Sequence, residues 1–266
     1  MHRIMDFSLN PALTVSGFVV GALIGLTGVG GGSLMTPLLV LGFGIRPITA
    51  VGTDLLYAAV TKSGGSWVHH RHGNVDWRIT GLLAAGSVPA AGLTLLALAK
   101  IGVGGHGTSH LISAALGVAL LLTAASLIFR QRLLAQARRR ARESRPGSEI
   151  AVLTVIVGAM VGTLVSISSV GAGALGVTAL TFLYPQLATR RIVGSDIAHA
   201  VPLTLVAGLG HWWLGSVDVP LLVNLLLGSL PGIALGSHLA TRVPERGLRS
   251  LLAGVLLLVG GKLILV

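Results

Sequence analysis

Gly28-Val-Gly-Gly-Gly-Ser33 interrupts an apolar stretch near the start of the chain, and Ser168-Ser-Val-Gly-Ala-Gly173 interrupts another in the second half. Aligning Val29–Leu34 with Val170–Leu175 sets an offset of 141 residues. One residue further in register, at 142, Val51-Gly-Thr-Asp54 meets Val193-Gly-Ser-Asp196 and His69 meets His211. The same offset brings Gly73-Asn-Val-Asp76 onto Gly215-Ser-Val-Asp218 and Gly86-Ser-Val-Pro89 onto Gly228-Ser-Leu-Pro231. Self-similarity at one fixed spacing marks an internal duplication. The first apolar stretch recurs mid-chain, so it is expected to stay in the protein rather than act as a cleaved leader.

Around these breaks the chain is almost uniformly apolar. Mean hydropathy is +0.87, and only 10% of the 266 residues are charged. That composition excludes a disordered chain and argues against a soluble two-domain enzyme, whose surface needs far more charge. Apolar stretches cover 13–26, 33–44, 47–69, 79–99, 111–129, 150–167, 174–184, 192–214, 219–239 and 248–266. A helix needs about 20 apolar residues to cross the hydrocarbon core. Six stretches approach that length, and the other four form two glycine-broken pairs. The expectation is an all-α polytopic membrane protein. Its domains are a first membrane repeat, 1–129, a basic linker, 130–149, and a second repeat, 150–266. Each repeat holds one glycine-broken pair plus three transmembrane helices. The number of passages per repeat is odd, so the two repeats insert with inverted topology.

The charge distribution supplies an orientation. Arg130–Arg145 carries seven arginines. The net charge of +11 would suggest nucleic acid on a soluble protein. In a membrane protein the same run reads as a cytoplasmic loop under the positive-inside rule. With that loop inside, Arg71, Arg78, Arg190, Arg191, Arg242, Arg246 and Arg249 also fall inside, and Arg3, Arg46 and Lys100 fall outside. Both termini are then expected outside the cytoplasm, and no nucleic-acid partner is expected.

The breaks carry the candidate chemistry. Glycines let the backbone take positive φ and let a ligand approach it closely. Ser33 can cap the half-helix that follows, whose free N–H groups and dipole favour an anion. Gly30, Gly31, Gly32, Ser33, Ser168, Ser169, Gly171 and Gly173 are therefore candidate anion ligands, and close packing through small residues is the competing reading. Short or glycine-interrupted segments at matching positions of two repeats mark the substrate site of secondary transporters.

Charges within membrane segments are rare and usually functional. Asp54 and Asp196 occupy equivalent positions, each after Gly-Thr or Gly-Ser, and are candidates for proton or cation coupling. Bracing a helix end is the competing reading. Lys62 lies eight residues after Asp54, on a shared helix face, and can pair with it or hold an anion; snorkelling to the interface is its alternative. Its counterpart is Thr204. His199 lies three residues after Asp196 and can relay protons or serve as a structural hydrogen bond; its counterpart is Tyr57. His69, His70 and His72, with Arg71, Trp67 and Trp77, read as an interfacial loop rather than a metal site, and His211 with Trp212 and Trp213 reads the same way on the other side. Asp76 and Asp218 are expected to cap the next helices. The sequence has no cysteine, no HExxH and no Ser–His–Asp arrangement, and neither a cofactor nor a metal is expected.

Gly28-Val-Gly-Gly-Gly-Ser33, Ala50-Val-Gly-Thr53, Gly73-Asn-Val-Asp-Trp77 and the duplicated plan resemble the TauE/SafE sulfite exporter family of membrane permeases, over nearly the whole chain outside 130–145. The resemblance implies transport of small anions of sulfur metabolism, sulfite or organosulfonates, across the bacterial inner membrane. By motif it carries Gly30–Ser33 and Thr53 into the substrate site, with Ser195 at the matching position of the second repeat. Gly171-Ala-Gly173 departs from a full triple glycine. Asp54 and Asp196 stand where the family often has a small hydroxyl residue. The reading is a secondary permease of a small anion in the lipid bilayer, coupled to protons or cations such as sodium. The alternative is a cation or proton exchanger centred on the Asp pair.

Overall fold

A computed structural model describes residues 10–27, 32–102, 105–140, 147–239 and 245–265. Gly30 and Gly31 lie outside the described residues, as do Arg3, Arg142, Arg145 and Arg242. The described residues form ten α-helices and one π turn. The first half holds α1 (Pro11–Thr27), α2 (Gly32–Pro37) continued by the π turn Leu38–Gly42, α3 (Pro47–Arg71), α4 (Trp77–Ile101) and α5 (His106–Arg140). The second half holds α6 (Gly147–Ser168), α7 (Ala174–Leu183), α8 (Thr189–Trp213), α9 (Val219–Leu239) and α10 (Glu245–Leu265).

Five helices, α4, α5, α6, α8 and α9, are long and apolar enough to span a membrane. The two elements that follow the breaks are much shorter. At 1.5 Å per residue, the ten residues of α7 reach only about 15 Å, half a bilayer core. α3 is 25 residues long, but Thr61-Lys-Ser-Gly-Gly-Ser66 makes its second half polar. The basic stretch does not leave the helix at residue 130. α5 continues through Arg132 to Arg140, because arginine is a good helix former and its charge ends nothing.

The helices pack in reciprocal pairs. α1 packs on α9, α6 on α4, α3 on α8 and α5 on α10. In lipid there is no hydrophobic drive between helices, so small residues that let backbones touch supply the attraction. Gly86 lies against the Val155 carbonyl and the Ala159 amide. Gly228, its counterpart, lies against the Thr14 carbonyl and the Phe18 amide, the counterparts of those two groups. Gly162 meets Ser87 as Gly21 meets Ser229, and Gly158 meets Leu83 as Gly17 meets Leu225. In both pairs residue numbers rise together, so α1 runs parallel to α9 and α4 parallel to α6. α3 and α8 run antiparallel: Gly52 touches His211, Gly65 faces Ile197 and Gly194 touches His69.

The loops obey the same exchange. The Thr53 hydroxyl accepts a hydrogen bond from the Asp218 N–H (3.1 Å), and the Ser195 hydroxyl accepts one from the Asp76 N–H (2.8 Å). Asp76 caps α4 by accepting from the Arg78 and Ile79 amides, and Asp218 accepts from the Leu221 amide, as expected of both. Asp76 also pairs with Arg191 at 3.3 Å. That pair ties the α3–α4 loop to the start of α8, so Arg71, Arg78, Arg190 and Arg191 gather at one end of the bundle. An open pocket of about 240 Å³ at this end is lined by Arg78, Asp76, Gly147 and Tyr184, which places the start of α6 there too. Asp76→Ala removes a cap and a half-exposed ion pair; unfolding in detergent is expected to show a loss of about 1 kcal/mol.

Candidate functional site

Antiparallel α3 and α8 cross at the centre of the bundle, and α8 is the most buried of the five spanning candidates. Asp54 is the eighth residue of α3 and Asp196 the eighth of α8. Both carboxyl groups are buried, at 0% and 1% exposure. Helix geometry places Asp54 toward the start of α3 and Asp196 toward its end, with Lys62 between them, about 12 Å along the helix from Asp54.

The second break runs beside this part of α3. α6 ends at Ser168, and the chain then turns through Ser169 (φ 58°), Gly171 (φ 129°) and Gly173 (φ 129°) before α7 begins. A side chain is strained at φ 129°, so the two glycines are what allow this path. Lys62 Nζ donates a hydrogen bond to the Ala172 carbonyl in the break, at 3.1 Å. Its ammonium is also within electrostatic reach of both Asp196 and Asp54. Lys62 is half-buried, so it stands at the edge of the cluster rather than sealed within it.

The two carboxyl groups differ in their partners. The Thr36 hydroxyl of α2 donates to Asp54 Oδ2. The Ser169 hydroxyl lies beside the same carboxyl group, although neither it nor Asp54 Oδ1 completes a hydrogen bond. Asp54 therefore sits between α2 and the second break, and brings the two broken segments together. Leu34 of α2 and Val170 of the break also share one apolar cluster with α5. Asp196 has no hydrogen-bond partner on either oxygen among the described residues. It lies over the first turn of α7, where Gly176 leaves the room its carboxylate occupies and the Gly173 N–H is nearby.

His199 Nε2 is 2.7 Å from the Ser87 hydroxyl, and its Nδ1 is buried without a partner among the described residues. The equivalent residues of the other half are Tyr57 and Ser229, which also lie side by side. The Tyr57 hydroxyl completes no hydrogen bond among the described residues.

Asp54, Lys62 and Asp196 thus follow one another along the α3–α8 crossing beside the break at Ser169, Gly171 and Gly173, with His199 alongside. Other sequence candidates lie elsewhere. Thr53 and Ser195 point to the loops before α9 and α4, and their hydroxyls are taken up there. The Ser168 hydroxyl is spent on its own turn, donating to Leu164 O and accepting from the Val170 N–H. α2 begins at Gly32, so Ser33 is buried in its first turn rather than standing before it as a cap. His211 lies in the last turn of α8 and faces the protein interior. It is fully buried, with Nδ1 on the Ser216 hydroxyl and Nε2 on the Ser166 carbonyl, while Trp212 and Trp213 are exposed beside it. Trp67, His69, His70 and Arg71, expected in a loop, lie in the last turns of α3, where Arg71 stacks on Trp67 at 4.0 Å. Thr36, Ser87 and Gly176 were not singled out. Ser87 had a visible signal, since it lies in the repeated Gly86-Ser-Val-Pro89 motif.

The family model for the sulfite exporter TauE/SafE matches residues 13–263. A probable membrane transporter protein of Bacillus subtilis (strain 168), YjnA, is 40% identical over 256 residues, covering 96% of this chain and 100% of the relative. A second from the same organism, YdhB, is 29% identical and covers 91% of this chain and 97% of its own length. A probable membrane transporter protein of Xylella fastidiosa (strain Temecula1 / ATCC 700964) is 28% identical over 229 residues, covering 86% of this chain and 84% of the relative. No solved structure matches the chain.

Proposed function

Because the chain belongs to the TauE/SafE sulfite exporter family and is a multi-pass membrane transporter, we propose that it carries a small sulfur oxyanion, sulfite or an organosulfonate, across the bacterial inner membrane. The observation that supports this most is the placement of Lys62. It brings a cation from one half of the chain onto the break that precedes α7 in the other half. An ammonium, a nearby buried hydroxyl at Ser169 and a glycine-lined backbone offer donors to an oxyanion without an arginine. The half-helix α7 and the reciprocal packing fit two inverted repeats that rock about a central site. In this orientation the arginine-rich end of the bundle faces the cytoplasm, and both termini lie on the other side.

Asp54 and Asp196 are the two candidate coupling groups of this reading. The rival is a cation or proton exchanger, favoured by the bare oxygens of Asp196. Uptake of labelled sulfite into proteoliposomes separates the two. The anion reading expects competition by sulfonates. Flux of sodium or protons that no anion stimulates or blocks would defeat it.

A further inference from the structure

We propose that the coupling ion is a proton and that Asp196, not Asp54, carries it, with His199 as the residue that positions the path to it. This rests on the anion-transport reading above and narrows its coupling step.

The charge inventory of the cluster is uneven. α3 presents Lys62 and, beyond it, Asp54. α8 itself presents His199, three residues from Asp196 and so on the same side of the helix. α4 contributes the Ser87 hydroxyl. α6 and the break contribute Ser169, and α7 contributes backbone at Gly173 and Gly176. Among the described residues there is therefore one lysine against two carboxylates. Asp54 has the Thr36 hydroxyl to share its charge, whereas among the described residues Asp196 has no side-chain donor and only the Gly173 N–H nearby. A buried carboxylate without a side-chain donor is costly, and it becomes more so when an anion claims Lys62. One proton added to an Asp196 oxygen from the water on one side removes that charge without breaking another bond. It leaves to water on the far side when the anion does. A metal cation fits poorly in its place, because it needs several oxygen ligands and would sit within reach of the Lys62 ammonium.

His199 completes the asymmetry. Ser87 fixes its Nε2, leaving Nδ1 buried and unpartnered for proton exchange. The equivalent residue, Tyr57, is a phenol that keeps its proton near neutral pH. A proton path of this kind exists on one side of the pseudo-symmetric site only.

Proteoliposomes holding a pH-sensitive dye test this with labelled isethionate, whose charge is constant near neutral pH. Proton movement is expected to accompany isethionate flux, and a proton gradient is expected to raise uptake several-fold in the native protein. In Asp196→Asn the ratio of uptake with and without the gradient falls to one, whatever the absolute rate. In Asp54→Asn the ratio stays above one. His199→Gln shifts the pH at which the ratio is highest. Where Asp196→Asn does not insert, dicyclohexylcarbodiimide, which modifies protonated buried carboxyl groups, is applied to the native protein. It should label the Asp196 peptide ahead of the Asp54 peptide. Isethionate flux without proton movement overturns the inference and leaves the transport reading standing. A ratio lost in Asp54→Asn but kept in Asp196→Asn, or labelling confined to Asp54, also overturns it. Absence of any sulfite or sulfonate flux defeats the transport reading and this inference together.

Discussion

Lys62→Met is expected to lower sulfite transport by roughly two orders of magnitude, the loss of about 3 kcal/mol of charge-assisted binding. Among the described residues Lys62 is the one cation that the geometry puts on the second break, and its Nζ already bonds to Ala172 there. Methionine keeps the length and apolar stem of the side chain and removes only the charge and its donors. Lys62→Arg keeps the charge with a different donor geometry, so a smaller loss is expected. Initial rates in proteoliposomes, normalised to inserted protein, measure both. Unchanged transport in Lys62→Met would mean that the side chain merely snorkels. In an exchanger of cations the same substitution would leave flux intact or raise it, because it removes a positive charge beside both carboxylates.

The second large effect concerns packing. Gly86→Val and Gly228→Val are each expected to cost about 3 kcal/mol or more and to reduce the yield of folded protein sharply. At both positions an added Cβ would overlap a backbone carbonyl of the partner helix, Val155 for Gly86 and Thr14 for Gly228. Backbone atoms cannot move aside as a flexible side chain can. The two losses should match in size, because the contacts are counterparts. Gly81→Ala and Gly92→Ala, on the same helix as Gly86 but with nothing within 4 Å, provide the control and should be neutral or stabilising. Thermal unfolding in detergent distinguishes the cases. Unequal losses at Gly86 and Gly228 would count against the reciprocal packing of the halves.

Much of this architecture is written in the offset between the halves. Gly86 and Gly228 repeat because each must meet a backbone, and Thr53 and Ser195 repeat because each must brace a loop. Asp54, Asp196 and Lys62 stood out because charge in this chain is scarce. The directions of neighbouring side chains were less visible. Adjacent helical residues point about 100° apart, so Gly-Thr-Asp could not send both Thr53 and Asp54 into one site, and the hydroxyl faces the loop. Thr36 was hidden for a different reason. A hydroxyl in an apolar helix ordinarily satisfies itself on its own backbone, as Thr154 and Thr178 do. Only the tertiary fold shows that the Thr36 hydroxyl reaches Asp54. Where the apolar stretch 111–129 gives way to arginines, hydropathy does not show that α5 runs on to Arg140, because a helix of arginine and alanine continues past the apolar region without penalty.

The central claim is that an oxyanion occupies the space between Lys62 and the break at Ser169–Gly173. A crystal structure grown with selenite, a heavier analogue of sulfite, tests it directly, because anomalous scattering marks the selenium. The account predicts an anomalous peak within hydrogen-bond reach of Lys62 Nζ and the backbone of the break. A peak at the Arg78 and Arg191 end of the bundle, with none beside Lys62, would contradict it.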